Sequence, residues 1–183
     1  MNKKIQSSLF VAMLLAAIPA TAQTSQDAPA SQLKMLLQLK GFWEAKTAII
    51  KMGDKENTIP YYANFKTTAD NNGLLMNEWA TIPGLGKLNG TNLVGVNPFD
   101  GKVHWFSVDN MGTVHEHIGA FSDARHFLMV YKEMQDDKEF QETVAMELIS
   151  RDEMKLNITA MLDGKEIETI SATFQRKPDK ENN

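Results

Sequence analysis

The chain contains no cysteine. That excludes a disulfide framework, a thiolate nucleophile, a cysteine-based zinc site and lipid attachment through a cysteine. It also has no excess of positive charge: 19 Lys and Arg stand against 23 Asp and Glu, for a net charge of −4, with no basic block. Nucleic acid and anionic membrane surfaces both call for a positive protein surface, so neither is an expected partner. Long apolar runs are missing as well. The single candidate, Leu9–Ile18, is about ten residues, well short of the roughly 20 that span a bilayer as a helix.

That run reads instead as the core of an export signal. Lys3 and Lys4 precede it, and Ala20-Thr21-Ala22 supplies small residues where a signal peptidase cuts. Residues 1–22 are therefore expected to be a signal peptide cleaved after Ala22, giving a periplasmic or secreted protein. Cleavage removes two lysines and no acid, taking the net charge from −4 to −6. No membrane insertion is expected of the remainder.

A chain of 183 residues suits one domain. Its hydrophobic fraction of 43% is ordinary for a protein with one core. At this size roughly two thirds of the unfolded surface is buried, so no cross-links are needed.

The helical period occurs once in the exported part. Residues 23–30 (QTSQDAPA) are polar and carry a proline, and are expected to form a disordered tether. From Ser31, a helix-capping residue, Leu33, Leu36, Leu37 and Lys40 follow at helical spacing, and Gly41 suits the position just past a helix end. This short helix has one apolar side. In a barrel it would plug one open end.

From Trp43 the period becomes two: Trp43, Ala45, Thr47 and Ile49 share one face, and Phe42, Glu44 and Lys46 the other. Strands are expected at 43–51, 57–69, 73–81, 90–97, 102–109, 113–121, 125–133, 139–150, 153–162 and 165–176. Turn residues separate them, among them Asn72-Gly73, Pro83-Gly84, Asp109-Asn110-Met111-Gly112 and Asp163-Gly164. About ten short strands with short links predict an all-β fold, a single up-and-down antiparallel barrel of residues 31–177, which removes exposed sheet edges. Residues 178–183 are charged and expected to fray.

Leu36-Leu-Gln-Leu-Lys-Gly41-Phe-Trp43-Glu44 resembles the Gly-x-Trp entry to the first strand of calycins, which include lipocalins, fatty-acid-binding proteins and nitrobindin-like haem barrels. Gly95–Asp109 resembles a central segment of a secreted bacterial family known as domain of unknown function 1579. The calycin likeness implies a barrel with an internal cavity. The nitrobindin likeness implies haem held by a histidine late in the chain, and the last histidine here is His126. The second family has no established activity, so it contributes no functional residues.

His115-Glu116-His117 is the most pointed local pattern. Residues two apart on a strand face the same way, roughly 6–7 Å apart, so two imidazoles there can share a metal. Whether His104 joins them depends on the intervening turn. A two-residue turn centred on Asn110-Met111 puts His104 on their face. A three-residue turn, Asn110 to Gly112, puts it on the other and brings Trp105 to their side. Asp109 and Gly112 favour the three-residue turn.

Other features are weaker. Trp43 is expected to close a barrel end, and Trp79 and Trp105 lie in mid-strand. Tyr61, Phe65, Phe127, Met129, Tyr131, Phe140, Met146 and Met161 are pocket candidates. The mid-strand acids Glu78, Glu116, Glu142 and Glu147 are expected to face solvent. Ser107, Ser122 and Ser171 lack a nucleophile-elbow pattern. Pro83–Lys87 precedes a strand, not a helix, so it reads as a barrel-mouth loop and not as a phosphate loop.

The leading functional expectation is a module that binds a small, largely apolar molecule, with Trp105, His115 and His117 as ligand-binding residues. No catalytic residue, metal ligand or cofactor is assigned. The alternatives are a metal-dependent hydrolase or hydratase at His115 and His117, with or without His104, and a structural envelope protein with a filled barrel.

Overall fold

The computed structural model describes residues 27–178. The expected signal peptide (residues 1–22), the first part of the expected tether and the tail from residue 179 lie outside the described residues. Helix α1 (Asp27–Leu36) runs into a 3-10 turn, Leu37–Leu39. Ten strands follow: β1 (Gly41–Met52), β2 (Lys55–Thr68), β3 (Gly73–Ile82), β4 (Gly86–Val96), β5 (Val103–Asp109), β6 (Val114–Phe121), β7 (His126–Gln135), β8 (Lys138–Ser150), β9 (Glu153–Leu162) and β10 (Lys165–Lys177). Each pairs antiparallel with its neighbours in sequence, and β1 pairs with β10, for example Trp43 opposite Arg176. The expected closed up-and-down barrel is the observed fold.

Three details differ from the sequence reading. The helix starts at Asp27, so residues 27–30 are helical and not tether. Pro29 falls in the first turn, where its missing N–H had no intrahelical partner to lose. Within β1 the inward set changes phase: Trp43 and Ala45 are buried, then Ala48 and Ile50, while Thr47 and Ile49 face out. A bulge between Ala45 and Ala48 causes this, because one extra residue shifts every later side chain to the other face. The stretch Pro83–Lys87 is not one loop: only residues 83–85 turn, and β4 already begins at Gly86.

The helix closes the barrel end where β1 begins. Leu36 and Leu39 are fully buried against Trp43 and Phe174 in the same core. Gln32 fastens the helix to the end of β6. Its side-chain amide donates to Phe121 O (2.9 Å) and its oxygen accepts from Phe121 N (2.8 Å). Trp43 Nε1 donates to Leu39 O at 2.7 Å, so the indole polar group is satisfied although the ring is wholly enclosed. The tips of the β1–β2, β3–β4, β5–β6, β7–β8 and β9–β10 hairpins ring the opposite end.

Candidate functional site

A cavity of about 290 Å³ occupies the barrel interior. It is edged at the hairpin end by Leu85, Met111 and Thr113. Most of its wall is aliphatic, methionine or phenylalanine, as alternation predicts for inward positions. The polar groups fall into two clusters, and the β5–β6 hairpin contributes to both.

The hairpin turn fixes which side chains reach the interior. Asp109 Oδ1 accepts from Met111 N (2.7 Å) and Thr113 N (3.0 Å), Asp109 N donates to Thr113 O (3.1 Å), and Gly112 takes φ +99°. This three-residue turn puts Trp105 opposite His117 and Ser107 opposite His115, all inward. His104 faces out. Its Nδ1 lies 2.7 Å from Glu116 Oε1 and its Nε2 3.0 Å from Asp100 Oδ2. A three-histidine site is therefore ruled out by strand parity.

The first cluster joins β6 to β8. His117 is 2% exposed. Its Nε2 lies 2.9 Å from Glu142 Oε1, yet neither ring nitrogen has a partner in hydrogen-bonding geometry. The contact is thus one of proximity, not a directional hydrogen bond. His115 Nε2 lies 4.0 Å from the same oxygen. The two imidazoles meet edge to face at 4.6 Å, and Tyr131 of β7 stacks on His115, also at 4.6 Å. Burial, and then the neighbouring His117, push the His115 pKa down. The β6–β7 ladder spans only Ile118–Phe121 opposite Val130–Phe127. His115 and His117 lie beyond its end, which leaves Glu142 two strands away free to reach them.

The second cluster crosses four strands. Tyr61 OH on β2 donates to Glu78 Oε2 on β3. Asn92 Nδ2 on β4 donates to Glu78 Oε1 at 3.0 Å. Asn92 Oδ1 accepts from Trp105 Nε1 (3.0 Å) and Ser107 Oγ (2.5 Å) on β5. Gly90 makes room for this: a Cβ there would sit 2.6 Å from Glu78 Oε1 and 2.8 Å from its Cγ. Burial raises the Glu78 pKa, outweighing the lowering by the Tyr61 and Asn92 hydrogen bonds. Burial, then the Glu78 charge, raise Tyr61 well above its ordinary value. Glu168 on β10 also lines the cavity, and its pKa is raised by burial and by Glu142.

The interior thus holds acids that sequence reasoning placed outside. Glu78 and Glu142 line the cavity; Glu116 and Glu147 face out. Parity carries the missed signal. Glu78 alternates with Leu74, Met76, Ala80 and Ile82, and Glu142 with Val144, Met146 and Leu148, all buried. Asn92 was missed for the same reason, between Gly90 and Val94 on one face. Of the pocket candidates, Tyr61, Phe65, Met129 and Met146 line the cavity. Trp79 does not: it stacks outside with Tyr62 (5.5 Å) and Phe42 (5.8 Å). His126, the last histidine, is also on the outside, against Asp123 at 2.8 Å.

No protein-family model matches the chain, and no curated protein sequence does. Solved structures do match in fold. The barrel is similar to an S-type phycobiliprotein lyase from Guillardia theta, with a TM-score of 0.54 and 11% identity over 86% of this chain and 99% of that one. A protein of unknown function from the DUF3598 family of Nostoc punctiforme matches at 9% identity over 80% of this chain and 99% of that one, with a TM-score of 0.24. The architecture is calycin-like. At 11% identity the likeness to the lyase is one of fold.

Proposed function

We propose that the protein is an exported module that holds a small, largely apolar molecule inside its barrel. The cavity carries this reading: about 290 Å³ with a mostly apolar wall, lined on one side by Trp105, His115 and His117. That volume is at the lower edge of the roughly 300–1,000 Å³ of small-molecule sites, which favours a compact ligand over a long lipid. Removing apolar ligand surface from water drives binding at about 25 cal/mol per Å², and the polar groups orient the ligand. A cavity of this size favours ligand binding over a filled structural barrel. The basic start, apolar run and small residues within 1–22, which read as an export signal, support a periplasmic or extracellular setting.

The polar wall restricts the head group. Glu78, Glu142 and Glu168 all face the cavity and, among the described residues, no lysine or arginine does. An anionic head would be buried among carboxylates without a counter-charge, which is costly. A neutral or cationic head meets acceptors. Calorimetric titration of chelator-treated protein with octanol, octylamine and octanoate tests this. Octanol and octylamine should bind, and octanoate at least about tenfold more weakly, equivalent to 1.4 kcal/mol. Failure of all three to bind would reject the ligand-binding reading. Preference for octanoate would reject the head-group assignment.

A further inference from the structure

We infer that His115, His117 and Glu142 form a binding site for one divalent first-row transition-metal ion, set into the cavity wall near its hairpin end. The site is built from three strands. β6 delivers both imidazoles to the interior because they are two residues apart. β8 delivers Glu142 across the gap where the β6–β7 ladder has ended. Tyr131 of β7 fills that gap and stacks on His115, holding the ring in place.

One donor atom from each residue lies within 4.8 Å of the others. His117 Nε2 and His115 Nε2 stand 2.9 and 4.0 Å from Glu142 Oε1. Metal–nitrogen and metal–oxygen bonds of about 2.0–2.2 Å in a tetrahedral shell put donors roughly 3.4 Å apart. Closing on an ion therefore needs adjustments well under a strand spacing, within reach of side-chain rotation alone.

His117 supplies an independent observation. It is 2% exposed, lines the cavity, and both of its ring nitrogens lack a hydrogen-bond partner. A buried imidazole is normally paired, and a metal bond would satisfy one of those nitrogens. Two neutral imidazoles and one carboxylate suit a borderline dication such as Zn2+, Co2+ or Fe2+ rather than Ca2+ or Mg2+, which prefer all-oxygen shells. Glu78 and Glu168 on other walls of the same cavity add a field that favours a cation. Three protein ligands leave at least one coordination position directed at the cavity, so the ion would present an electrophilic point to whatever occupies it.

The site does not rest on the organic-ligand reading, and its test uses no organic ligand. Chelator-treated full-length protein is titrated with CoCl2 and followed by visible d–d absorption. The expected result is a set of bands that saturates at one Co2+ per chain and is displaced by Zn2+. His117→Ala and Glu142→Gln should each weaken Co2+ binding at least about a hundredfold, above the 10- to 100-fold typical of supporting residues. His104→Ala, on the outer face, should leave it unchanged. Should a variant fail to fold, the wild-type protein still decides: on adding Zn2+, the ring-nitrogen NMR signals of His115 and His117 should shift while those of His104 and His126 do not. Absence of saturable Co2+ binding would overturn the site, as would Zn2+ shifts confined to His104 or His126, or binding that survives His117→Ala in a folded protein.

Discussion

The Arg176 guanidinium lies over the Trp43 ring, 4.3 Å from its centroid, and so the last strand locks the first. The same guanidinium donates to Lys40 O, to Gln38 O at 2.7 Å and to Arg151 O at 3.0 Å. It thereby satisfies carbonyls at the end of the helical segment and at the β8–β9 turn. A fork of planar donors does this; an ammonium cannot, and it stacks less well on the ring. Arg176→Lys is expected to lower stability by about 1–3 kcal/mol. Trp43→Ala, which opens a large void, should cost about 3–5 kcal/mol. Urea denaturation of both variants, with the double variant, measures these losses. The coupling between the two sites should exceed about 0.5 kcal/mol. Strictly additive losses would mean that the two ends of the sheet are not joined through this pair.

The half-buried, cavity-lining Glu78 makes a pH-dependent contribution whose sign is fixed by its raised pKa. Tyr61, Asp109 and Glu142 face it from β2, β5 and β8, and none is basic. The folded protein therefore holds the Glu78 proton more tightly than the unfolded chain. Its contribution to stability is fully present below the ordinary glutamate value near 4.5 and is lost as pH rises through the raised one. Glu78→Gln should gain stability relative to wild type as pH increases from 4.5 toward neutrality. Thermal melts of the two proteins across that range check it. A constant difference would show that Glu78 titrates as it does in the unfolded chain.

Gly90 should not tolerate a methyl group, because a Cβ there meets Glu78 at 2.6–2.8 Å. Gly90→Ala must displace Glu78 from Tyr61 and Asn92. The expected cost is about 1–3 kcal/mol, the scale for a broken buried polar contact. It should shrink in the Glu78→Ala background, where the obstacle is gone. An equal cost in both backgrounds would place the strain elsewhere.

On the outer face His104 behaves in the familiar histidine manner. Partial burial lowers its pKa, but hydrogen bonds to Asp100 and Glu116 and their charges outweigh that and raise it above 6.5. Its stabilising effect is complete below 6.5 and is lost as pH rises through the raised value. His104→Gln should therefore cost more stability at pH 5.5 than at pH 8.5, by chemical denaturation at the two pH values. A larger cost at the higher pH would contradict the sign.

The barrel was readable from the sequence because its evidence is redundant. Ten alternating runs and their turn residues all point to one architecture, and an error at any one boundary leaves the others intact. The Asp109–Gly112 turn was readable too, and with it the parity that separates His104 from His115 and His117. What was not readable depended on single residues. The β1 bulge needs one extra residue at Lys46–Thr47, with no glycine to mark it. Glu78 and Glu142 sit on inward parity, but the default that charged residues face water overrode their spacing. The approach of Glu142 to His117 depends on where the β6–β7 ladder ends, a three-dimensional fact without a local signature. Asn92 is a site residue because Trp105, Ser107 and Glu78 converge on it from two other strands, which no local sequence pattern marks.

The most direct test of the cavity as a ligand site is the affinity of chelator-treated protein for a homologous series of straight-chain alcohols, by calorimetry. Burial in a closed, apolar space predicts a gain of about 0.8 kcal/mol, close to fourfold, for each added methylene. The gain should stop once the chain fills the roughly 290 Å³ interior. No binding, or affinity that climbs without a break through the longest soluble alcohol, would contradict the account.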